Sequence, residues 1–275
     1  MNVEYVASQY LDLMDKSYEE RYKFPSMSYI SVSTMTIIAQ LTSNIDVSLL
    51  NRRFVSPAYP LCTIKKAKEH HEYELTARGK KKKSFYNQTT IEFTDHTKKS
   101  IKVFYNGKLQ LTGITSVVEA LSVIDIVCSV VNNIQDCAKD QNAQFQNLSI
   151  AMINTNFSYN CGIDILALQS LLKNCSNMHS TFDPDRYPGL NIKHKSADGT
   201  KTSILFFSTG NVVITGVNSF AAICNAFAEI TNIVYENIDI LKTNVLHHKP
   251  KKASNVYSMK DGYTKRELRS VGVVC

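Results

Sequence analysis

The chain has 275 residues, 44% hydrophobic and 20% charged, with a formal charge of +7 at pH 7. It is long enough to bury one large or two small cores, and no apolar run reaches the roughly 18 residues that a membrane span needs. Seven scattered cysteines, never in C-x-x-C spacing, exclude a disulfide framework and fit a reducing compartment, while the basic excess points to an acidic partner, nucleic acid first.

Residues 1–27 read as a Tyr-rich, mixed-charge N-terminal arm with helical character, and acids throughout it predict no secretory leader. "TMTIIAQLTSNIDVSLL" (34–50) follows, a strand-like run leading through Ile-Asp-Val into a short apolar helix. Residues 55–84 then form an insertion, "VSPAYPLCTIKKAKEHHEYELTARGKKKKS", ending in four consecutive lysines. A strand "FYNQTTIEF" (85–93), a turn "TDHTKK" and the phrase "VFYNGKLQLTG" (103–113) come next. Apolar residues at helical spacing then predict a long helix near 116–134, with Ser116 and Glu119 as a capping box.

The remainder restates this order. "MINTNFSYNCGIDILAL" (152–168) parallels 34–50, "YPGLNIKHK" (187–195) is the next strand, and Asp198-Gly199 is a hairpin signal. "FFSTGNVVITG" (206–216) repeats "VFYNGKLQLTG", and a helix is predicted near 219–241. The period divides the chain into a first repeat over 28–137, a second over 144–246, and a basic tail over 247–275. Each half is α+β: a strand, a short helix, several antiparallel strands and a long helix. The strands are too few to close a barrel.

"STFDPDRYPGL" with "SILFFSTGNVVITG" and "AFAEITNIV" resembles the second half of TATA-box-binding proteins, and "KVFYNGKLQLTG" resembles the corresponding strand of their first half. The likeness spans about residues 30–240 and is the more specific in the second copy. It implies a saddle of two pseudo-symmetric repeats of curved antiparallel sheet, with the long helices on the convex face. The degree of departure, the insertion and the tail suggest a member from a large DNA virus.

The same resemblance implies that the concave face lies on the minor groove of double-stranded DNA, with aromatic rings wedged between base steps. In the second copy it assigns Leu205, Phe207, Val213 and Thr215 to that face, with Tyr187 as the other wedge and Pro188 beside it. In the first copy it assigns Phe104 and Thr112, with Phe85 as the second wedge. Lys108 and Lys193 fall on basic positions that meet phosphates, while Asn211 replaces a lysine. Gln110 and Lys102 stand where apolar residues are expected. Thr34 and Met152 occupy the positions of groove-facing asparagines, and Asn154 lies two residues on, pointing to the same side. Asp183 and Asp185, around Pro184, take the place of an acidic stirrup that binds a TFIIB-like factor.

Without the repeat, Phe104 and Phe207 would read as ordinary core residues, and Lys80–Lys83 as a solvated loop with at most non-specific attraction for DNA. His70-His71 and His247-His248 lack the spacing of a zinc site. No nucleophile, P-loop or paired-carboxylate pattern supports catalysis, so the reading includes no enzyme activity, metal or cofactor. The resemblance implies a transcription initiation factor that bends AT-rich promoter DNA and recruits a TFIIB-like factor and RNA polymerase. It would act in the nucleus or in a viral factory of the host cytoplasm, without a membrane partner or secretion. The alternative, drawn from Lys102, Gln110 and the missing asparagines, is a protein-interaction module that has kept the fold and lost the DNA.

Overall fold

The computed structural model describes residues 3–57, 61–65, 87–94 and 97–243. Phe85, the lysine run 80–83, both His pairs and the 247–275 tail lie outside the described residues. The described residues divide into two compact units: unit 1 falls within 34–151, and unit 2 holds 3–33 together with 152–243.

In chain order the first half contains α1 (Val3–Lys23), β1 (Ser31–Leu41), α2 (Val47–Arg53), β2 (Leu61–Lys65), β3 (Gln88–Thr94), β4 (Lys98–Phe104), β5 (Lys108–Ile114) and α3 (Val117–Asn132). The second contains β6 (Phe145–Ser158), β7 (Gly162–Ile163), α4 (Ile165–Leu172), β8 (Met178–Thr181), β9 (Leu190–Lys195), β10 (Lys201–Phe206), β11 (Asn211–Val217), α5 (Phe220–Glu236), α6 (Ile238–Leu241) and β12 (Lys242–Thr243). Strand order is β2-β3-β4-β5-β1 in unit 1 and β6-β11-β10-β9-β8 in unit 2. Every pairing within these two sets is antiparallel.

Strict alternation explains why each sheet has one buried face. In unit 1, Ile37, Ile91, Phe93, Ile101, Val103, Leu109 and Leu111 are fully buried. In unit 2, Phe157, Ile192, Ile204, Phe206, Val212 and Ile214 do the same, and Phe157 meets Phe227 of α5 edge-on at 4.9 Å. Burying each such side chain contributes roughly 1.5–3 kcal/mol. The faces turned away from these cores stay half exposed.

The repeated phrase has a backbone cause. Gly107 and Gly210 sit at φ +73° and +79°, and an added Cβ would fall 2.3 Å from the Ser43 carbonyl oxygen and 2.2 Å from that of Cys161. Their own carbonyls accept from Leu41 N at 2.9 Å and from Tyr159 N at 2.9 Å. Only glycine allows both that left-handed turn and that approach. Gly113 and Gly216, at φ +80° and +85°, lie where the β1–β5 and β6–β11 registers shift, so the Thr-Gly corner is a bulge in each copy. The repeated Ile-Asp is a helix cap: Asp46 accepts from Leu49 N at 2.8 Å, and Asp164 from Leu166 N at 2.9 Å and Ala167 N at 3.0 Å.

The predicted helices appear at Val117–Asn132 and Phe220–Glu236, the latter followed by the short α6. Ser116 caps α3 by accepting from Glu119 N at 3.1 Å, but the Glu119 carboxylate accepts from Thr115 N at 2.7 Å. The Glu119 side chain thus reaches back to the residue before the cap. Three other features differ from the sequence reading. Each copy has one more edge strand than expected: β2, inside the stretch read as an insertion, pairs with β3, and β8 pairs with β9. Both are too short to show a period. The N-terminal arm is helical as expected, over 21 residues, and differs only in packing against the core instead of standing apart. It buries Leu13, Ser17 and Glu20 and sets Tyr10 edge-on to Phe220 at 5.3 Å. Finally, a buried Lys99 and a buried His194 lie beneath the two sheets, each against a more exposed carboxylate: Lys99 with Glu119 at 2.9 Å, and His194 with Glu229 at 3.1 Å.

Candidate nucleic-acid interface

The open face of the unit 2 sheet has an apolar centre. Leu205 lies directly across from Val213, and Ser203 from Thr215; all four are half exposed. Asn154 approaches Thr215, whose hydroxyl donates to the Asn154 amide oxygen. That bond leaves the Asn154 NH2 available to donate elsewhere. Asn156, across from Val213, is held the same way by Ser31 Oγ at 2.8 Å. The sequence reading did not pick it out, although it continues the 152, 154, 156 alternation of β6. Lys193 is exposed on β9 and donates to Ser203 Oγ at 2.7 Å.

Two aromatic rings stand at the end of this face. The Phe207 N–H donates to Asn211 O at 2.9 Å, which fixes it at the tip of the β10–β11 hairpin. Tyr187 donates its backbone N–H to Asp183 O at 2.9 Å. The ring centroids are 5.8 Å apart and inclined at 62°, an edge-to-face pair. Gly189 is their seat: a Cβ there would come within 2.8 Å of the Tyr187 ring and 2.9 Å of the Phe207 ring. Tyr187 remains 44% exposed, with Pro188 exposed beside it. The structure therefore brings Tyr187, Pro188 and Phe207 together beyond Leu205, as a rigid apolar edge that solvent can reach.

The matching face of unit 1 is polar. Lys102 and Gln110 stand across from each other where unit 2 has Leu205 and Val213. Thr112, across from Ser100, donates to the Ser100 carbonyl at 3.1 Å. Phe104 is half exposed at the end of β4, and Lys108 is exposed at the start of β5. Phe85, its expected companion, lies outside the described residues. At the outer part of this face Glu92 bonds Lys65 at 2.5 Å and Lys98 at 3.0 Å. Lys65 first and then Lys98 hold its carboxyl below the usual carboxylate range, against its burial. The trio carries one net positive charge, so the carboxylate does not make the face repel an anion.

Asp183, Pro184 and Asp185 are all exposed, in a loop closed by Arg186 N donating to Asp183 O at 3.1 Å. No helix of the described residues is long and apolar enough to cross a membrane, and the described residues contain no cluster of three or more metal-ligating side chains.

Comparison with known proteins agrees with this geometry. Residues 147–237 match the family described as transcription factor TFIID, or TATA-binding protein. The chain is 29% identical over 269 residues to a TATA-box-binding protein-like protein of Acanthamoeba polyphaga mimivirus, covering 84% of this chain and 72% of that one. Among solved structures it resembles the Methanococcus jannaschii TATA-binding protein with a TM-score of 0.51 at 17% identity, over 76% of this chain and 99% of the other. The family match falls on the second repeat, where the open face keeps Leu205 and Val213.

Proposed function

We propose that the chain, a diverged TATA-binding-protein-like protein with a viral relative, is a transcription initiation factor that bends promoter DNA from the minor groove. The observation that carries this reading is the Tyr187–Phe207 edge. Buried aromatic pairs stabilise cores, but this pair is reachable from solvent, rests on a glycine and adjoins an apolar sheet face. Opening a base step costs a few kcal/mol, which an inserted ring offsets by replacing lost stacking and letting the bent duplex meet more protein.

Leu205 and Val213 present no hydrogen-bonding group and suit the floor of an AT-rich groove. The NH2 groups of Asn154 and Asn156, whose amide oxygens are held by Thr215 and Ser31, reach the acceptors that A·T pairs expose there. Phe104 wedges from unit 1, Thr112 lines that face, and Lys108 and Lys193 meet phosphates. The exposed carboxylates of Asp183 and Asp185 receive a basic surface of a TFIIB-like factor, through which RNA polymerase is recruited.

End-to-end fluorescence transfer on a short AT-rich duplex tests the proposal. The protein should shorten the end-to-end distance, and Tyr187→Phe should bend as well as the native chain. A duplex that stays straight when bound removes the wedge role and leaves the fold as a protein-interaction module. Charge reversal at Asp183 and Asp185 should weaken the TFIIB-like complex without weakening DNA binding. Loss of DNA binding alone would assign that loop to the duplex.

A further inference from the structure

We infer that Lys102 and Gln110 make the open face of unit 1 a reader of guanine, so that the chain accepts G·C pairs beneath one repeat and rejects them beneath the other. This rests on the minor-groove reading above. The minor groove shows acceptors at every base pair, and a G·C pair adds one donor, the guanine 2-amino group. An apolar sheet cannot accept from that group and leaves it desolvated without a partner, which is the origin of a penalty for G·C. The Leu205–Val213 pair of unit 2 is such a surface.

The corresponding cross-strand pair of unit 1 has the chemistry to answer both signals. Lys102 and Gln110 lie directly opposite each other on neighbouring strands, half exposed on the same face, and Ile38 stands beside Gln110 on β1. The Gln110 amide oxygen can accept from the guanine 2-amino group, while its NH2 and the Lys102 ammonium donate to purine N3 and pyrimidine O2. Several other polar groups of the two faces are already engaged: the Thr112 hydroxyl with Ser100 O, the Thr215 hydroxyl with Asn154 Oδ1, Lys193 with Ser203, and Glu92 with two lysines. Thr90 and Ser100, across from Lys102 and Thr112, are small polar neighbours on the side of the pair away from Ile38.

The experiment is competition binding by fluorescence anisotropy, at fixed salt, with the full chain and four duplexes. One is all A·T across the bound segment, two carry G·C pairs in the left or the right half, and one carries them in both halves. Because the chain can bind in either orientation, G·C in a single half should cost less than about threefold, and G·C in both halves about tenfold or more. Replacing guanine by inosine, which lacks the 2-amino group, should remove the loss. Gln110→Leu with Lys102→Leu should lower affinity for every duplex and, measured relative to the all-A·T duplex, raise the single-half penalty to about tenfold. Equal single-half penalties for native and variant chains, or a loss that inosine does not relieve, would overturn the inference and leave the proposed function standing. No binding to any of the four duplexes would overturn both. A variant that melts earlier than the native chain is replaced by Gln110→Val alone, for which the same inosine comparison decides.

Discussion

The two units solve one backbone problem with the same residues and then dress it differently. Gly107 and Gly210 make the same turn against the same carbonyl, and Asp46 and Asp164 cap the same helix. Even the backbone bonds agree: Ile45 N donates to Tyr105 O at 2.7 Å, and Ile163 N to Ser208 O at 2.9 Å. The open faces share only their outline, Leu205 and Val213 in one and Lys102 and Gln110 in the other. Positions that fix the chain's path have little freedom to vary, because a Cβ has nowhere to go. Positions on an open face answer only to what lies on them, so differences between repeats collect there.

The strongest way to break this comparison is at the glycines. Gly210→Ala should cost about 2–4 kcal/mol, from left-handed strain plus contact with the Cys161 carbonyl. Gly107→Ala should cost nearly the same against Ser43, with both read as shifts in melting midpoint. A tolerated alanine in one copy alone would show that the two turns are not equivalent.

The rings come next. Phe207→Ala and Phe104→Ala should each weaken binding to an AT-rich duplex about tenfold, near 1.4 kcal/mol, and reduce the bend. If Phe104→Ala leaves the bend intact, wedging belongs to unit 2 alone.

The smallest effect concerns the caps. Asp46→Ala and Asp164→Ala should each cost about 1 kcal/mol, and the contribution of the Asp46 cap should depend on acid. Lys139, 2.8 Å from Asp46, and the Leu49 N–H hold the Asp46 carboxyl below its ordinary value of 3.8. A depressed carboxylate contributes stability that is present above the unfolded value and lost as pH falls through the folded one. The gap between native and Asp46→Asn chains should therefore be constant above about pH 5 and close below about pH 4. Urea midpoints across that range measure it, and a gap that persists in acid would show that the Lys139 pair contributes nothing.

How much of this could be read from the residues follows the same division. The duplicated turns, the two long helices and the Asp198-Gly199 hairpin were legible because glycine, proline and helical spacing act locally. The Tyr187–Phe207 edge was legible through the family phrase, whereas its Gly189 seat was not, since that glycine's role depends on two rings from different loops. β2 and β8 are too short for a period, and their pairing is decided by β3 and β9. The fate of α1 was hidden because its buried stripe includes Ser17 and Glu20. Ser17 accepts from Ile30 N at 3.0 Å, and Glu20 lies 3.2 Å from Lys16 and 3.1 Å from Lys23. Polar residues chosen for such specific partners look like surface in a linear text.

The position of α1 also sets an order of events during synthesis. Residues 3–33 belong to the same unit as 152–243, so α1 leaves the ribosome well before the strands and helix it packs against. Unit 1, continuous from 34 to 151, can close while α1 still has no α5 to receive Leu13 and Tyr10. Contacts that span such a separation form late and slowly, and an apolar stripe left waiting is a place where nascent chains stick to one another.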